Sequence, residues 1–361
     1  MRSSKRSLVW LLAILTTVGL VAGACGSSNS DSSTATTKAG SSFDYKSLSG
    51  TLNGSGATFP KNFYEDAIAS FKDVASGVTV NYNAVGSGQG KKDLAAGTSD
   101  WAGSDSTVKD DEKASFKGEF LYFPTVAAPI TVSYNLSGVT TLQLSASTLA
   151  KIFMGSITTW NDAAIAADNP GVTLPATAIT VAVRSDGSGT TSNFSKYLVA
   201  AAPTDFTLTA GDTVAWPKAQ AGKGNAGVAQ IVKDTNGAIG YVDLSDALAT
   251  KLTTAAIKNK DGKYVAPTLA GATAALAGAE VKSDLTYNAL NTAGAETYPI
   301  TASTYVLVYK SIGTPATANA IRGWLTYLLT DGQDLAADAS FAPLPTSLRD
   351  KAIAQIAMIQ G

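Results

Sequence analysis

Apolar and polar positions recur along this chain with two periods. Phe63, Ala67 and Phe71 repeat every four residues, which predicts a helix with Pro60 in its first turn, entered from the turn Gly54-Ser55-Gly56-Ala57-Thr58-Phe59. Val78, Val80 and Tyr82 alternate with polar neighbours, the two-residue period of a strand that Val85 ends. Gly86-Ser87-Gly88-Gln89-Gly90 then leads into a short helix through Leu94, and Asp100 to Asp105 reads as a strand end and loop. Ile179 to Val183 forms another strand, which feeds Arg184-Ser185-Asp186-Gly187-Ser188-Gly189-Thr190 and a helix through Phe194 and Leu198. Strands that alternate with helices predict an α/β fold.

Two stretches break the alternation. Phe120 to Val132 is extended and apolar, but Pro124 and Pro129 make it a stiff connection between lobes as readily as a strand. The chain runs extended again from Tyr298 through Val308, and from Ala316 onward it is mostly helical. Two extended crossings fit one lobe inserted into another. The expected division is residues 47–127 and 298–361 in lobe 1 and 128–297 in lobe 2, and no tandem repeat of fixed period is present.

The first residues follow a different logic. Arg2, Lys5 and Arg6 precede the apolar run Leu8 to Val21, so residues 1–24 read as a secretory signal peptide, short for a membrane span. Ala22-Gly23-Ala24-Cys25-Gly26 resembles a bacterial lipobox, with Ala22 where a larger aliphatic residue usually stands. Lipidation of Cys25 is the expectation; plain cleavage nearby and an uncleaved anchor helix are the alternatives. Residues 25–46 are rich in Ser, Thr and Gly and cannot bury a core, which makes them a flexible tether. Stable anchoring needs more than one acyl chain on the cysteine. The expected location is the outer face of the cytoplasmic membrane.

Composition narrows the chemistry. The 361 residues are 45% hydrophobic and 15% charged, with a net charge of −1, so a sizeable core can be buried and no basic face is implied. Nucleic acid is excluded as a partner on that ground, because duplex binding rests on clustered Lys and Arg. There is no histidine, which removes Ser-His-Asp and Cys-His machinery. With one cysteine besides, neither a metal site nor a cofactor is expected.

What remains is a set of small-residue turns. Gly56-Ala57-Thr58-Phe59, Gly86-Ser87-Gly88 and Gly187-Ser188-Gly189-Thr190 each follow a strand and lead into a helix. A helix N-terminus offers unsatisfied N–H groups and partial positive charge, and glycine lets an anion approach the backbone. Any one of these turns is equally an ordinary loop with a Ser or Thr cap. Three of them together with Arg184, whose planar fork suits oxyanions, point to an anion. Arg184 could also be a surface residue paired locally with Asp186. Gly86 to Lys92 evokes a nucleotide-phosphate loop but fails at both ends, with Val85 for the first glycine and Lys92 for the final Ser or Thr.

On Gly54-Ser-Gly-Ala-Thr-Phe-Pro60, Val85-Gly-Ser-Gly88, Gly103-Ser-Asp105 and Arg184-Ser-Asp-Gly-Ser-Gly-Thr190, the chain resembles the phosphate-binding proteins of bacterial ABC importers, the PstS family. Phe123-Pro-Thr-Val126, Ile152 to Asn161, Gly222-Lys-Gly-Asn-Ala-Gly227 and Gly237-Ala-Ile-Gly-Tyr241 extend the resemblance over nearly the whole chain beyond the tether. The resemblance implies a two-lobed, type II periplasmic-binding-protein-like fold, each lobe a mixed β-sheet flanked by helices, hinged around a buried anion. It implies inorganic phosphate as ligand and the membrane subunits of an ABC permease as partners. Thr58, Phe59, Ser87, Asp105, Arg184, Ser188, Gly189 and Thr190 match the family's phosphate ligands, and Asp186 its outer support for Arg184. Two departures stand out: Gly88-Gln89-Gly90 follows Ser87 where a second serine is common, and Ser106-Thr107-Val108 lacks a commonly seen proline.

A carboxylate facing an anion makes sense only if the anion carries a proton to donate. Phosphate does near neutral pH and sulfate does not, so Asp105 would select phosphate. Alternatives stay open: Asp105 as a helix cap or lysine partner; arsenate, sulfate or molybdate as ligand; a surface phosphate sensor or adhesin without an importer; or an exported phosphoesterase using Ser188 or Thr58 with Asp105 as base.

Overall fold

A computed structural model describes residues 43–361. The expected signal peptide, Cys25 and most of the tether lie outside these residues. Tyr45, inside the stretch read as tether, is already buried and packs its ring on Phe71 at 5.9 Å, so packing begins slightly before Ser47.

The alternation of strands and helices is as expected. β1 (Gly50–Gly56), α1 (Lys61–Val74), β2 (Val78–Ala84), α2 (Ser87–Ala96) and β3 (Trp101–Ser104) form the first run. β4 spans Phe120–Asn135. Then come β5 (Thr180–Arg184), α3 (Gly189–Ala201), β6 (Gln220–Gly222), α4 (Gly224–Asp234) and β7 (Ala238–Asp243). β8 (Thr301–Tyr309) precedes α5 (Pro315–Leu329) and α6 (Thr346–Gln355). Pro60 stands just before α1 rather than within its first turn, so Thr58 and Phe59 occupy a turn ahead of the helix.

Among the described residues these eight strands form the main path, β2-β1-β3-β8-β4-β7-β5-β6, of a ten-stranded sheet, to which the short strands Thr253–Thr254 and Ala342–Pro343 add by pairing with β4. Both ends are parallel: β1 pairs with β2 and β3, and β5 pairs with β6 and β7. The middle is antiparallel, with β8 between β3 and β4, and β4 beside β7. Parallel strands need crossover connections, which the helices between them supply.

The stretch Phe120 to Val132 is therefore a strand throughout. Its first part pairs with β8 as far as Pro129 opposite Thr301, and from Ile130 to Asn135 it pairs with β7. One continuous strand thus serves both ends of the sheet. Its residues from Tyr122 to Tyr134 are buried. β8 carries an irregularity between Ser303 and Tyr305, which drops Thr304 out of the ladder.

Aromatic packing fixes the first end. Trp101 stacks on Tyr82 at 5.0 Å, and Tyr64 meets both rings edge-on. The fully buried rings of Trp101 and Tyr64 each contribute roughly 1.5–3 kcal/mol by apolar burial, and Tyr82 is partly buried. Gly56, with φ +146, brings β1 so close to β3 that a Cβ there would lie 2.0 Å from the Gly103 carbonyl oxygen. The last glycine of the first turn is thus required by strand packing, independent of any ligand.

Candidate functional site

The site is built where the C-terminal ends of parallel strands feed helix N-termini, the usual place for ligands in open α/β sheets. Asp105 follows β3, is 3% exposed, and accepts a hydrogen bond on Oδ2 from the Ser87 hydroxyl at 3.3 Å. Ser87 is the first residue of α2, reached through Gly86. The other carboxyl oxygen of Asp105, Oδ1, is buried without a hydrogen-bond partner. Burial pushes the Asp105 carboxyl up to about 7, and the nearby Thr304 hydroxyl, the Arg184 charge and Ser87 pull it only partly back.

Arg184 ends β5 and is buried. Its Nε and Nη2 donate to the two carboxyl oxygens of Asp186 at 3.0 and 2.5 Å, a bidentate clamp that fixes the guanidinium plane. Burial alone would raise the Asp186 carboxyl, but Arg184 and the Gly224 N–H (2.9 Å) hold it below the ordinary carboxylate value. Nη1 of Arg184 is left to face Thr190, whose hydroxyl oxygen lies 3.4 Å away.

Ser188 caps α3 by accepting from the Thr191 N–H at 3.1 Å, and its own N–H donates to the Asp212 carbonyl. That leaves the hydroxyl hydrogen as the group Ser188 can still donate. Gly189 and Thr190 open α3, where a helix cannot satisfy its N–H groups internally.

The two ends of the sheet meet here. Thr58 Oγ1, from the turn after β1, accepts from both the backbone N–H and the side-chain amide of Asn225 at 3.2 Å. That same amide reaches Thr190 Oγ1 at 3.3 Å. The Gly88 N–H donates to the Gly187 carbonyl at 3.0 Å, and the Asn193 amide to the Asp105 carbonyl at 2.6 Å. A Cβ on Gly189 would lie 2.6 Å from Ser87 Oγ and 2.7 Å from Asp105 Cβ. The structure thus gathers Thr58, Ser87, Asp105, Arg184, Ser188, Gly189 and Thr190 around one enclosed point, with Asp186 behind Arg184. Phe59 adjoins it through Thr58 only; its ring is core, edge-on to Phe341 at 5.6 Å.

Two residues of the cluster were not singled out from sequence. Asn225 sits at the start of α4 in Gly222-Lys-Gly-Asn-Ala-Gly227, a fourth glycine-rich strand-to-helix turn of the same grammar as the other three, so the signal was there. Thr304 carries no local signal. Its hydroxyl is buried without a partner beside Asp105 because β8 is irregular at that point.

Comparison with known proteins gives this arrangement its context. A family profile described as "PBP superfamily domain" matches residues 31–332. The chain is 35% identical over 321 residues to the phosphate-binding protein PstS of Pasteurella multocida, covering 87% of this chain and 92% of that one. It is 34% identical to the phosphate-binding protein PstS 3 of Mycobacterium leprae, covering 94% of this chain and 95% of that one. Among solved structures, a high affinity periplasmic phosphate-binding protein (PfluDING) bound with phosphate at pH 8.5 has the same fold, with a TM-score of 0.70 at 23% identity over 85% of this chain and 94% of that one. With the profile spanning most of its length and such relatives along nearly all of theirs, the chain belongs to the PBP superfamily and, within it, to the PstS family of phosphate-binding proteins.

Proposed function

We propose that this chain is an exported substrate-binding protein that captures inorganic phosphate between two lobes and delivers it to an ABC-type importer. Residues 47–127 and 298–361 form one lobe and 128–297 the other, hinged where β4 changes partner after Pro129 and where the chain returns into β8. The hydroxyls of Thr58, Ser87, Ser188 and Thr190, the N–H groups of Phe59, Gly189 and Thr190, and the Arg184 guanidinium donate to the anion. Asp105 is the one acceptor among them. Cys25, lipidated, holds the protein at the outer face of the membrane, and the closed lobes dock on the permease.

The observation that carries the choice of phosphate is Asp105 with its unpaired, buried Oδ1. Its titration near 7 lies close to the second ionisation of phosphate groups, about 6, so carboxyl and anion can share one proton. Sulfate brings no proton and meets a repelling oxygen. Membership of a family whose named relatives bind phosphate supports the same reading.

The test is competition calorimetry with phosphate, sulfate and arsenate on the soluble chain from Gly26 and on Asp105→Asn. The intact chain is expected to bind phosphate without sulfate competition. The variant should lose most of the selectivity, which a site built on one hydrogen bond can hold at about 10⁴–10⁵-fold. An unchanged phosphate-to-sulfate ratio in the variant would remove Asp105 from its role.

A further inference from the structure

Lys91 and Lys92 close the segment that imitates a nucleotide-phosphate loop, and neither touches the anion site. Yet Lys91 is 3% exposed, unusual for a lysine, which is seldom buried unless paired. Its ammonium lies 2.8 Å from Glu112 Oε2 and 3.0 Å from Asp212 Oδ2, with the Thr107 carbonyl at 3.4 Å.

These partners fall on different sides of the cleft. Lys91, Thr107 and Glu112 belong to residues 47–127, while Asp212 belongs to 128–297. Asp212 is itself buried, and its carbonyl accepts the N–H of Ser188, the cap of the helix that receives the anion. The charge on Lys91 thus reaches across the cleft to the residue that seats the anion-binding loop.

We infer that Lys91 and Asp212 form a latch that closes the lobes over the bound anion and sets its release rate. This rests on the two-lobe phosphate reading above. The asymmetry of the pairing makes it suited to repeated opening. When the lobes part, Lys91 keeps Glu112 and Thr107, so no lysine is stranded, and Asp212 moves out toward water. The pair therefore acts on the closed state alone. An interaction confined to one of two states shifts the equilibrium between them, and with it the apparent affinity. The buried setting gives the pair weight, because an ion pair shielded from solvent is screened far less than a surface one.

The experiment measures phosphate release by stopped flow in the intact chain, Asp212→Asn and Lys91→Gln, with urea unfolding of each ligand-free protein. Asp212→Asn keeps the side-chain shape and leaves Lys91 with Glu112. Release should be about 10–100-fold faster in it, the shift expected from 1.4–2.8 kcal/mol of lost closed-state stabilisation. Ligand-free stability should be unchanged. Release indistinguishable from the intact chain would overturn the latch. So would a loss of ligand-free stability equal to the loss of affinity, because that is how a merely structural ion pair behaves. Failure of the intact chain to bind phosphate would overturn the proposed function itself, and is read before any variant.

Discussion

A carboxyl group enclosed by Ser87, Gly189 and Asn193 has little water to ionise into, and the ligand-free protein bears the consequence. Asp105 titrates near 7 when folded against an ordinary value of 3.8. Between those values the folded state binds more protons than the unfolded one, so stability falls as pH rises. The contribution is complete below about 4 and is lost by the time pH passes 7. Each unit of displacement is worth about 1.4 kcal/mol, so raising pH from 5 to 8 should destabilise the ligand-free protein by up to roughly 2–3 kcal/mol through this group, the full amount belonging to the arrangement that encloses Asp105. Urea unfolding of the chain and of Asp105→Asn at both values isolates it, since the buried Asp243 and Asp246, also raised, remain in both proteins. Equal pH slopes would contradict the assignment. Asp105, Arg184 and Ser87 were legible in sequence because each sits in a short motif whose spacing is local. Thr304 was not, because what aims it is a register slip between two distant strands.

Glycine-rich turns say that a strand meets a helix, but not which glycine serves the ligand. In α2, Gly90 faces β1: a Cβ there would lie 2.4 Å from Gly56 Cα and 2.6 Å from the Ser55 carbonyl oxygen. Alanine in a helix interior normally gains about 0.5–1 kcal/mol over glycine. Here both clashing atoms are backbone and cannot rotate away, so overpacking of about 1–3 kcal/mol outweighs the gain. Gly90→Ala should therefore lower the urea midpoint, whereas a rise would show that α2 can move off the sheet. The same distinction explains what sequence conveyed about the elements. Val78 to Tyr82 betrayed a strand by alternation, and Phe63 to Phe71 a helix by its period. Phe120 to Val132 stayed ambiguous because a strand buried on both faces shows no alternation, and its prolines argued against a sheet interior.

On the two-lobe reading proposed above, closure brings surfaces together that no single lobe defines. Gly189 is one such point, pressed against Ser87 and Asp105 from the opposite side. Gly189→Ala adds one methyl exactly where the lobes must meet, yet it lies at the first turn of α3, where alanine is well tolerated within its own lobe. Phosphate affinity should fall about 10–100-fold, equivalent to 1.4–2.8 kcal/mol, with ligand-free stability intact. Calorimetry and urea unfolding together check this; unchanged affinity would mean that the lobes do not close as tightly when phosphate is held. The two extended crossings were legible in sequence, but the sharing of one strand was not, since pairing across a sheet leaves no trace in local sequence. That sharing has its own consequence. A strand whose two halves stitch separate lobes cannot release one without fraying the ladder of the other. On the two-lobe reading proposed above, the lobes would therefore melt as one cooperative body while moving as two.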